Sequence, residues 1–216
     1  MKVLFCDERI VVCIKPAGIL STDEVGGMPQ LLREELNTAC IRTVHRLDAA
    51  VSGVMVFARS QKASSILSEQ IRAHAFKKEY LAVIHGAPDE SSGTLTDLLF
   101  HDRASRKTLV VDEAQKDAKL AELSYEVLGQ TDDLSLVRVI LHTGRTHQIR
   151  VQFSSRGWPL VGDKKYGLPQ DDCPIALWSH RLKFTHPQTG DAVEFSAKPP
   201  AQYPWTEFFS EKGVTL

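Results

Sequence analysis

The 216-residue sequence has no long hydrophobic run: its apolar stretches, such as Ile10 to Ile14 and Val54 to Ala58, fall far short of a bilayer-spanning helix, which takes about 20 residues. A transmembrane chain is therefore not expected. The opening MKVLFCDERI turns acidic at Asp7 and lacks the long apolar region and small-residue cleavage site of an export signal, so a cytoplasmic location is expected. Cysteine is sparse. Cys6, Cys13, Cys40 and Cys173 stand at irregular spacings without a Cys-x-x-Cys pair, which argues against a zinc ribbon or a redox motif and leaves reduced thiols as the expectation. Neither charge sign is in excess: 26 Lys+Arg face 27 Asp+Glu, a net charge of −1. The simplest mark of a nucleic-acid binder, a strongly basic balance, is thus absent. The glycine-rich signatures of phosphate-loop ATPases and dinucleotide-binding folds are missing too. No repeat, low-complexity run or linker breaks the chain, so residues 1–216 are expected to form one domain.

What is present is segregated along the chain. Residues 138–165 hold six basic side chains, Arg138, Arg145, Arg150, Arg156, Lys164 and Lys165, against one acid, Asp163, whereas residues 111–135 are mostly acidic. A neutral total can therefore conceal a basic cleft. Strand signals are frequent and short. Ile10–Ile14 ends at a Pro and Gly turn, and Gly53–Ala58, Glu79–His85, Ala121–Leu128, Ser135–Leu141, Ala176–Phe184 and Ala192–Ser196 carry alternating, β-branched or aromatic residues. Between Lys62 and His74, the spacing of Ile66, Leu67, Gln70 and Ile71 predicts an amphipathic helix capped by Ser60. A second helix is predicted from Thr146 towards Ser155. Helices are too rare for a regular βαβ alternation, so an α+β fold on a mainly antiparallel sheet is expected. Trp205, Phe208 and Phe209 are expected in the core.

Three clusters could carry chemistry. In Val44-His45-Arg46-Leu47-Asp48-Ala49-Ala50-Val51-Ser52-Gly53, an acid lies two residues from an arginine, and that carboxylate suits a nucleophile, a metal ligand or a structural ion pair. His142-Thr143-Gly144-Arg145-Thr146-His147-Gln148-Ile149-Arg150 is dense in donors and nearly free of acids, a composition suited to phosphate or to a solvated basic helix face. Lys77-Lys78-Glu79-Tyr80 places a tyrosine at the start of a strand, where a core aromatic is the simplest reading. His45, Asp48, His147 and His180 can be arranged on paper as a metallohydrolase site, yet their spacing matches no zinc pattern, and no metal site is expected.

Taken together, these segments resemble the RluA family of pseudouridine synthases, which isomerise uridine to pseudouridine within RNA. The likeness runs in order through Val11-Val12-Cys13-Ile14-Lys15-Pro16-Ala17-Gly18, His45-Arg46-Leu47-Asp48 with Ser52-Gly53, Lys78-Glu79-Tyr80, and Gly144-Arg145-Thr146-His147-Gln148-Ile149-Arg150-Val151. It continues through Gly157 to Gly167 and ends with His180-Arg181-Leu182 and Phe184-Thr185-His186-Pro187. The resemblance implies a pseudouridine synthase catalytic fold, a mixed, largely antiparallel sheet in two halves flanking a basic cleft, acting without cofactor or metal. It implies Asp48 as the catalytic aspartate, Arg150 as its basic partner and Tyr80 as the tyrosine that packs against the target base. Arg46 is implied to take the space of the flipped uridine, with His45, Arg145, His147, Gln148 and Ile149 lining the substrate site.

The reaction breaks the glycosidic bond, turns the base and joins carbon to the sugar without external electrons, so a positioned carboxylate suffices. The uridine must first leave its stack, at a cost of about a few kcal/mol. Arg145, Lys77, Lys78 and the Arg103–Lys107 segment are candidates for backbone phosphate contacts, or ordinary surface charges. Two departures stand out. Val51 replaces a threonine common in the family, and Lys15-Pro16 begins too early to leave room for the N-terminal RNA-binding domain of many relatives. A compact, monomeric, single-domain enzyme on structured RNA, ribosomal or transfer, is thus expected. The alternatives are an RNA-binding protein on a retired synthase scaffold, which retention of Asp48, Tyr80 and Arg150 disfavours, and a metal-dependent phosphodiesterase.

Overall fold

A computed structural model describes residues 1–112, 115–209 and 214. In chain order the elements are β1 (Lys2–Cys6), β2 (Ile10–Lys15), α1 (Met28–Glu35), β3 (Arg42–Thr43), β4 (Ser52–Ala58), α2 (Gln61–Arg72), β5 (Lys77–His85) and β6 (Ser92–Asp102). There follow β7 (Lys107–Val111), β8 (Lys119–Gln130), β9 (Leu134–Leu141), α3 (Gln148–Ser154), β10 (Leu177–Thr185), β11 (Ala192–Ser196) and a final 3₁₀ turn at Trp205–Glu207. The chain divides into two compact units: Met1–Glu79 with Trp178–Lys198, and Tyr80–Leu177 with Pro199–Leu216.

In the first unit β2 is central in sequence logic as in space. It is apolar at nearly every position because it is buried on both faces, with antiparallel partners β1 on one side and β4 on the other. β10 joins β4 in parallel and carries β11 on its antiparallel side. One face of this sheet gathers Ile10, Val12, Val54, Val56, Leu182 and Phe184 with Ala63 and Leu67 of α2, and Phe76 stacks on Phe184 at 5.0 Å. The predicted α2 cap is realised: Ser60 accepts the Ala63 backbone N–H, meeting a donor the first turn leaves unpaired.

Gly53 sits where β4 meets β10. Its φ is +128°, and a Cβ there would lie 2.4 Å from the Ser179 carbonyl oxygen. Only glycine fits that approach. Gly53→Ala is expected to cost about 2 kcal/mol of stability, as overpacking against fixed backbone does, read as a lowered urea midpoint; an unchanged midpoint would mean that the β4–β10 spacing adapts.

The second unit orders its strands β5-β9-β8-β6-β7, with antiparallel pairing throughout β9-β8-β6-β7. The face under α3 buries Leu99, Ala121 and Val151, with Tyr166 packed against them. Trp205 and Phe208 are buried and Phe209 is half-buried, as the sequence suggests.

All eight predicted strand and cap features from Ile10 to Ser196 appear, but α1, β1, the short β3, β6, β7 and the final 3₁₀ turn escaped the sequence reading. α1 starts at Gly27 with no side-chain cap, and only Met28, Pro29 and Leu32 are buried on its eight residues. β1 is largely exposed, and β6 and β7 form a hairpin whose burial is too patchy to leave a clean alternation. α3 is shorter than predicted, seven residues beginning at Gln148, because His147 takes a left-handed conformation (φ 55°) that no helical residue can hold.

Candidate active site

Asp48 lies in the first unit on the loop between β3 and β4, and the loop is braced from beneath. Ser21 Oγ donates to the Leu47 carbonyl at 2.8 Å and accepts the Leu47 N–H at 3.0 Å, so a single hydroxyl clamps both backbone groups of the residue before Asp48. Thr43 Oγ1 donates in turn to the Ser21 carbonyl at 2.8 Å. On the other side Lys15 is wholly buried, and its ammonium donates to the carbonyls of Pro16 (2.8 Å), Ile19 (2.6 Å) and Ala49 (3.0 Å). The Gly18 N–H also reaches Ala49 O at 2.8 Å, and the Val51 N–H closes a turn onto Asp48 O at 3.0 Å. Asp48 itself is half-buried, and Arg46, two residues before it, is exposed. Burial pushes the Lys15 ammonium down to about 8, while the Asp48 charge acts in the opposite sense, which places the two within electrostatic reach.

His45 takes a structural position. It is buried, and its Nε2 accepts the Val56 backbone N–H at 3.2 Å, joining the start of the Asp48 loop to β4, while its ring tilts over Phe76 at 5.6 Å. Burial, reinforced by the nearby Lys78 ammonium, holds the imidazole neutral by pushing its pKa down to about 3. The unfolded chain therefore takes up a proton below about pH 6.5 that the folded one refuses until about pH 3. By linkage, the stability His45 contributes is complete above pH 6.5 and falls as the pH drops through that window. His45→Gln is expected to flatten this acid limb in urea titrations between pH 3 and 6.5; a limb of unchanged slope would show that other groups set it.

Tyr80, Arg145, His147, Gln148, Ile149 and Arg150 all belong to the second unit. Tyr80 is buried on β5 at 5% exposure. Arg150, on α3, is locked in a bidentate fork: Nε donates to Asp163 Oδ2 at 2.8 Å and Nη2 to Oδ1 at 2.7 Å. Its guanidinium lies 5.2 Å from the centre of the Tyr166 ring. Asp163, fully buried and also accepting the Lys165 and Tyr166 N–H groups, is held below the usual carboxylate range by the Arg150 pair and these bonds, against the opposing pull of burial. Gln148 is a brace for the approach to α3: its Oε1 accepts Thr143 Oγ1 and the Arg145 N–H, and its Nε2 donates to Glu122 O. Ile149 is buried, and Arg145 Nε donates to Leu120 O at 2.8 Å.

The structure also revises the charge reading. Arg138 pairs with Glu126, Arg150 with Asp163 and Arg156 with Asp97, so half of the basic side chains in residues 138–165 are matched by carboxylates. Lys164 and Lys165 instead donate to the backbone carbonyls of Asp171 and Arg106, which leaves their charge uncancelled by these bonds. Lys78, a candidate phosphate contact, is half-buried with its ammonium pKa lowered by desolvation, whereas Lys77, Arg103, Arg106 and Lys107 are exposed. Each of the three histidines of the paper metallohydrolase spends one ring nitrogen within its own unit: His45 Nε2 on the Val56 N–H, His147 Nδ1 on the Tyr166 hydroxyl and His180 Nδ1 on Ala197 O. Among the described residues no group of three or more His, Cys, Asp and Glu side chains converges on a metal position. Lys15, Ser21, Asp163 and Tyr166 are the working residues that the sequence reading left without a role. For Asp163 a signal was there, as the lone acid in a basic segment.

The profile of the RNA pseudouridylate synthase family matches residues 9–155. The dual-specificity RNA pseudouridine synthase RluA of Escherichia coli O6:H1 is 34% identical over 209 residues, covering 90% of this chain and 91% of the relative. The RNA pseudouridine synthase YlyB of Bacillus subtilis, uncharacterized by its own name, is 32% identical over 214 residues, 93% of this chain and 69% of the relative. Human RNA pseudouridylate synthase domain containing 1 shares the fold at a TM-score of 0.80 and 23% identity, over 93% of this chain and 84% of that one. The chain belongs to the RNA pseudouridylate synthase family, whose members convert uridine in RNA to pseudouridine.

Proposed function

We propose that this chain isomerises uridine in structured RNA to pseudouridine, with Asp48 as the catalytic carboxylate, Arg150 as its cationic partner and Tyr80 as the ring that packs against the target base. The observation that carries this reading is the braced loop. The loop that carries a half-buried carboxylate is held through its backbone by Ser21 and Lys15 and is followed by Gly53, whose positive φ and close approach to Ser179 suit only glycine, the investment in geometry that a reacting group requires. Arg46, exposed two residues before it, fits a side chain that fills the gap left by an extruded base. The Asp163 fork uses Arg150 Nε and Nη2 and fixes the plane of the guanidinium, which suits a cation that serves a second carboxylate in a set direction. His45, Gln148 and Ile149 then act by shaping the loop and helix that carry these groups, and Arg145 and His147 by facing the RNA.

We take the two compact units as halves of one catalytic domain, working as a cytoplasmic monomer. Ribosomal and transfer RNA are both candidate substrates, since the Escherichia coli relative is named for dual specificity. The test is mass-spectrometric mapping of pseudouridine in total RNA from cells with the gene deleted, restored, or restored as Asp48→Asn. Sites that vanish on deletion and return only with the wild-type chain establish the activity and name the substrate. Sites that return with the Asp48→Asn chain would remove Asp48 from its role, and no change in any strain would favour an RNA-binding protein on a retired scaffold.

A further inference from the structure

The β6–β7 hairpin ends in a turn with three exposed cations, Arg103, Arg106 and Lys107, on a backbone that is anything but loose. Asp102 folds back into the turn, accepting the Ala104 N–H at 2.9 Å and the Ser105 hydroxyl at 2.6 Å, which orders the turn and leaves one negative charge beside the three cations. Lys165 Nζ donates to Arg106 O at 2.6 Å, bringing a fourth cation alongside. One residue on, the Tyr166 hydroxyl is shared. It accepts the Thr108 N–H of β7 at 2.7 Å and is hydrogen-bonded to His147 Nδ1, also at 2.7 Å, at the residue that opens α3. The same tyrosine ring lies beside the Arg150 guanidinium, and its backbone N–H is held by the Asp163 carboxylate that grips Arg150. The chain of contacts therefore runs unbroken, within one compact unit, from the tip of the hairpin to Arg150.

We infer that the Arg103–Lys107 turn is a docking surface for the RNA phosphate backbone, and that Tyr166 is the positioning residue that fixes this surface relative to the His147–Arg150 segment. This rests on the RNA-acting reading above. Phosphate contacts set register and orientation while carrying little sequence information, so such a surface is useful only at a fixed distance from the chemistry. Tyr166 provides that distance, because its single hydroxyl bonds both elements at once. Every side chain in the turn is exposed, so its charge can be removed without touching the core.

The experiment measures affinity for a short RNA stem–loop with uridines in its loop, across a series of salt concentrations, for the wild type, a triple variant Arg103→Ser, Arg106→Ser and Lys107→Ser, Tyr166→Phe, and the combination. The triple variant is expected to weaken binding and to reduce the slope of log affinity against log salt by about 2 to 3, near one for each phosphate that the variant no longer neutralises. Tyr166→Phe keeps the ring and loses only the shared hydroxyl. It is expected to weaken binding in the wild-type background and to add nothing in the triple variant, a non-additivity that a purely structural loss of stability would not produce. A salt slope unchanged in the triple variant overturns the docking surface, and additive effects overturn the role of Tyr166. Pseudouridine formation on the same RNA is followed in parallel: an inactive wild type with an intact salt response in this assay would sink the proposed activity and leave the docking surface standing.

Discussion

Asp48→Asn is expected to abolish pseudouridine formation, lowering single-turnover rates by about 10⁴-fold or more while leaving RNA affinity near that of the wild type. The reasoning is chemical. Breaking the glycosidic bond and rejoining the sugar to carbon needs a negative oxygen at the reacting centre, whether it attacks the sugar, attacks the base or removes a proton, and an amide offers neither charge nor basicity. The amide is nonetheless the same size as the carboxylate. The loop it sits on is held by Ser21 and Lys15 through backbone groups of Leu47 and Ala49, bonds that Asn leaves intact. Asn at this position should therefore leave the fold and the RNA-facing surface in place. Stopped-quench assays with the RNA identified by mapping separate the two effects, and a variant with residual activity within tenfold of the wild type would show that the carboxylate is not the reacting group.

The parts of the fold that the sequence announced are those whose energetics are local. Ser60 followed by a periodic apolar run reads as a capped helix because the cap satisfies a backbone donor within the same turn, and β2 reads as a buried strand because every residue from Ile10 to Cys13 faces apolar neighbours. The β6–β7 hairpin stayed hidden because its outer strand exposes Leu109 and Val110 while burying Thr108, an inversion of the usual pattern, and Thr108 is met by the Tyr166 hydroxyl from 58 residues away in the chain. Asp48, Tyr80 and Arg150 are candidates picked out by their motif order. Their supports are not, because Ser21 reaches Leu47 across 26 residues and Lys15 reaches Ala49 across 34, and no spacing rule links positions so far apart. Arg150 was legible as a cation. That Asp163 would grip it, and so turn one of six basic charges inward, is a consequence of tertiary packing alone.

Lys15→Met is the substitution expected to do most damage without touching a reacting atom. Three charge-assisted hydrogen bonds, at about 1.5 to 3 kcal/mol each, are lost, but the cost of burying the ammonium is lost with them, so the net destabilisation should be about 3 kcal/mol. Methionine matches the length of the aliphatic stem and leaves the Pro16 and Ile19 carbonyls with no ammonium to meet, while Ala49 keeps the Gly18 N–H. The turn carrying Asp48 then loses its lower anchor, and displacement of about 1 Å at a reacting group costs on the order of 10²-fold in rate. A pH signature separates this from simple loss of packing. Burial holds the Lys15 ammonium at about 8 in the folded chain against 10.5 for an ordinary lysine, so between these values the unfolded chain binds the extra proton. Its contribution to stability therefore rises with pH from about 8 to 10.5 and is flat below 8. The wild type should show this alkaline rise in urea midpoints and the Lys15→Met variant should not. If both proteins trace the same curve, the ammonium is not confined as the three carbonyl distances require, and the brace beneath Asp48 loses its electrostatic half.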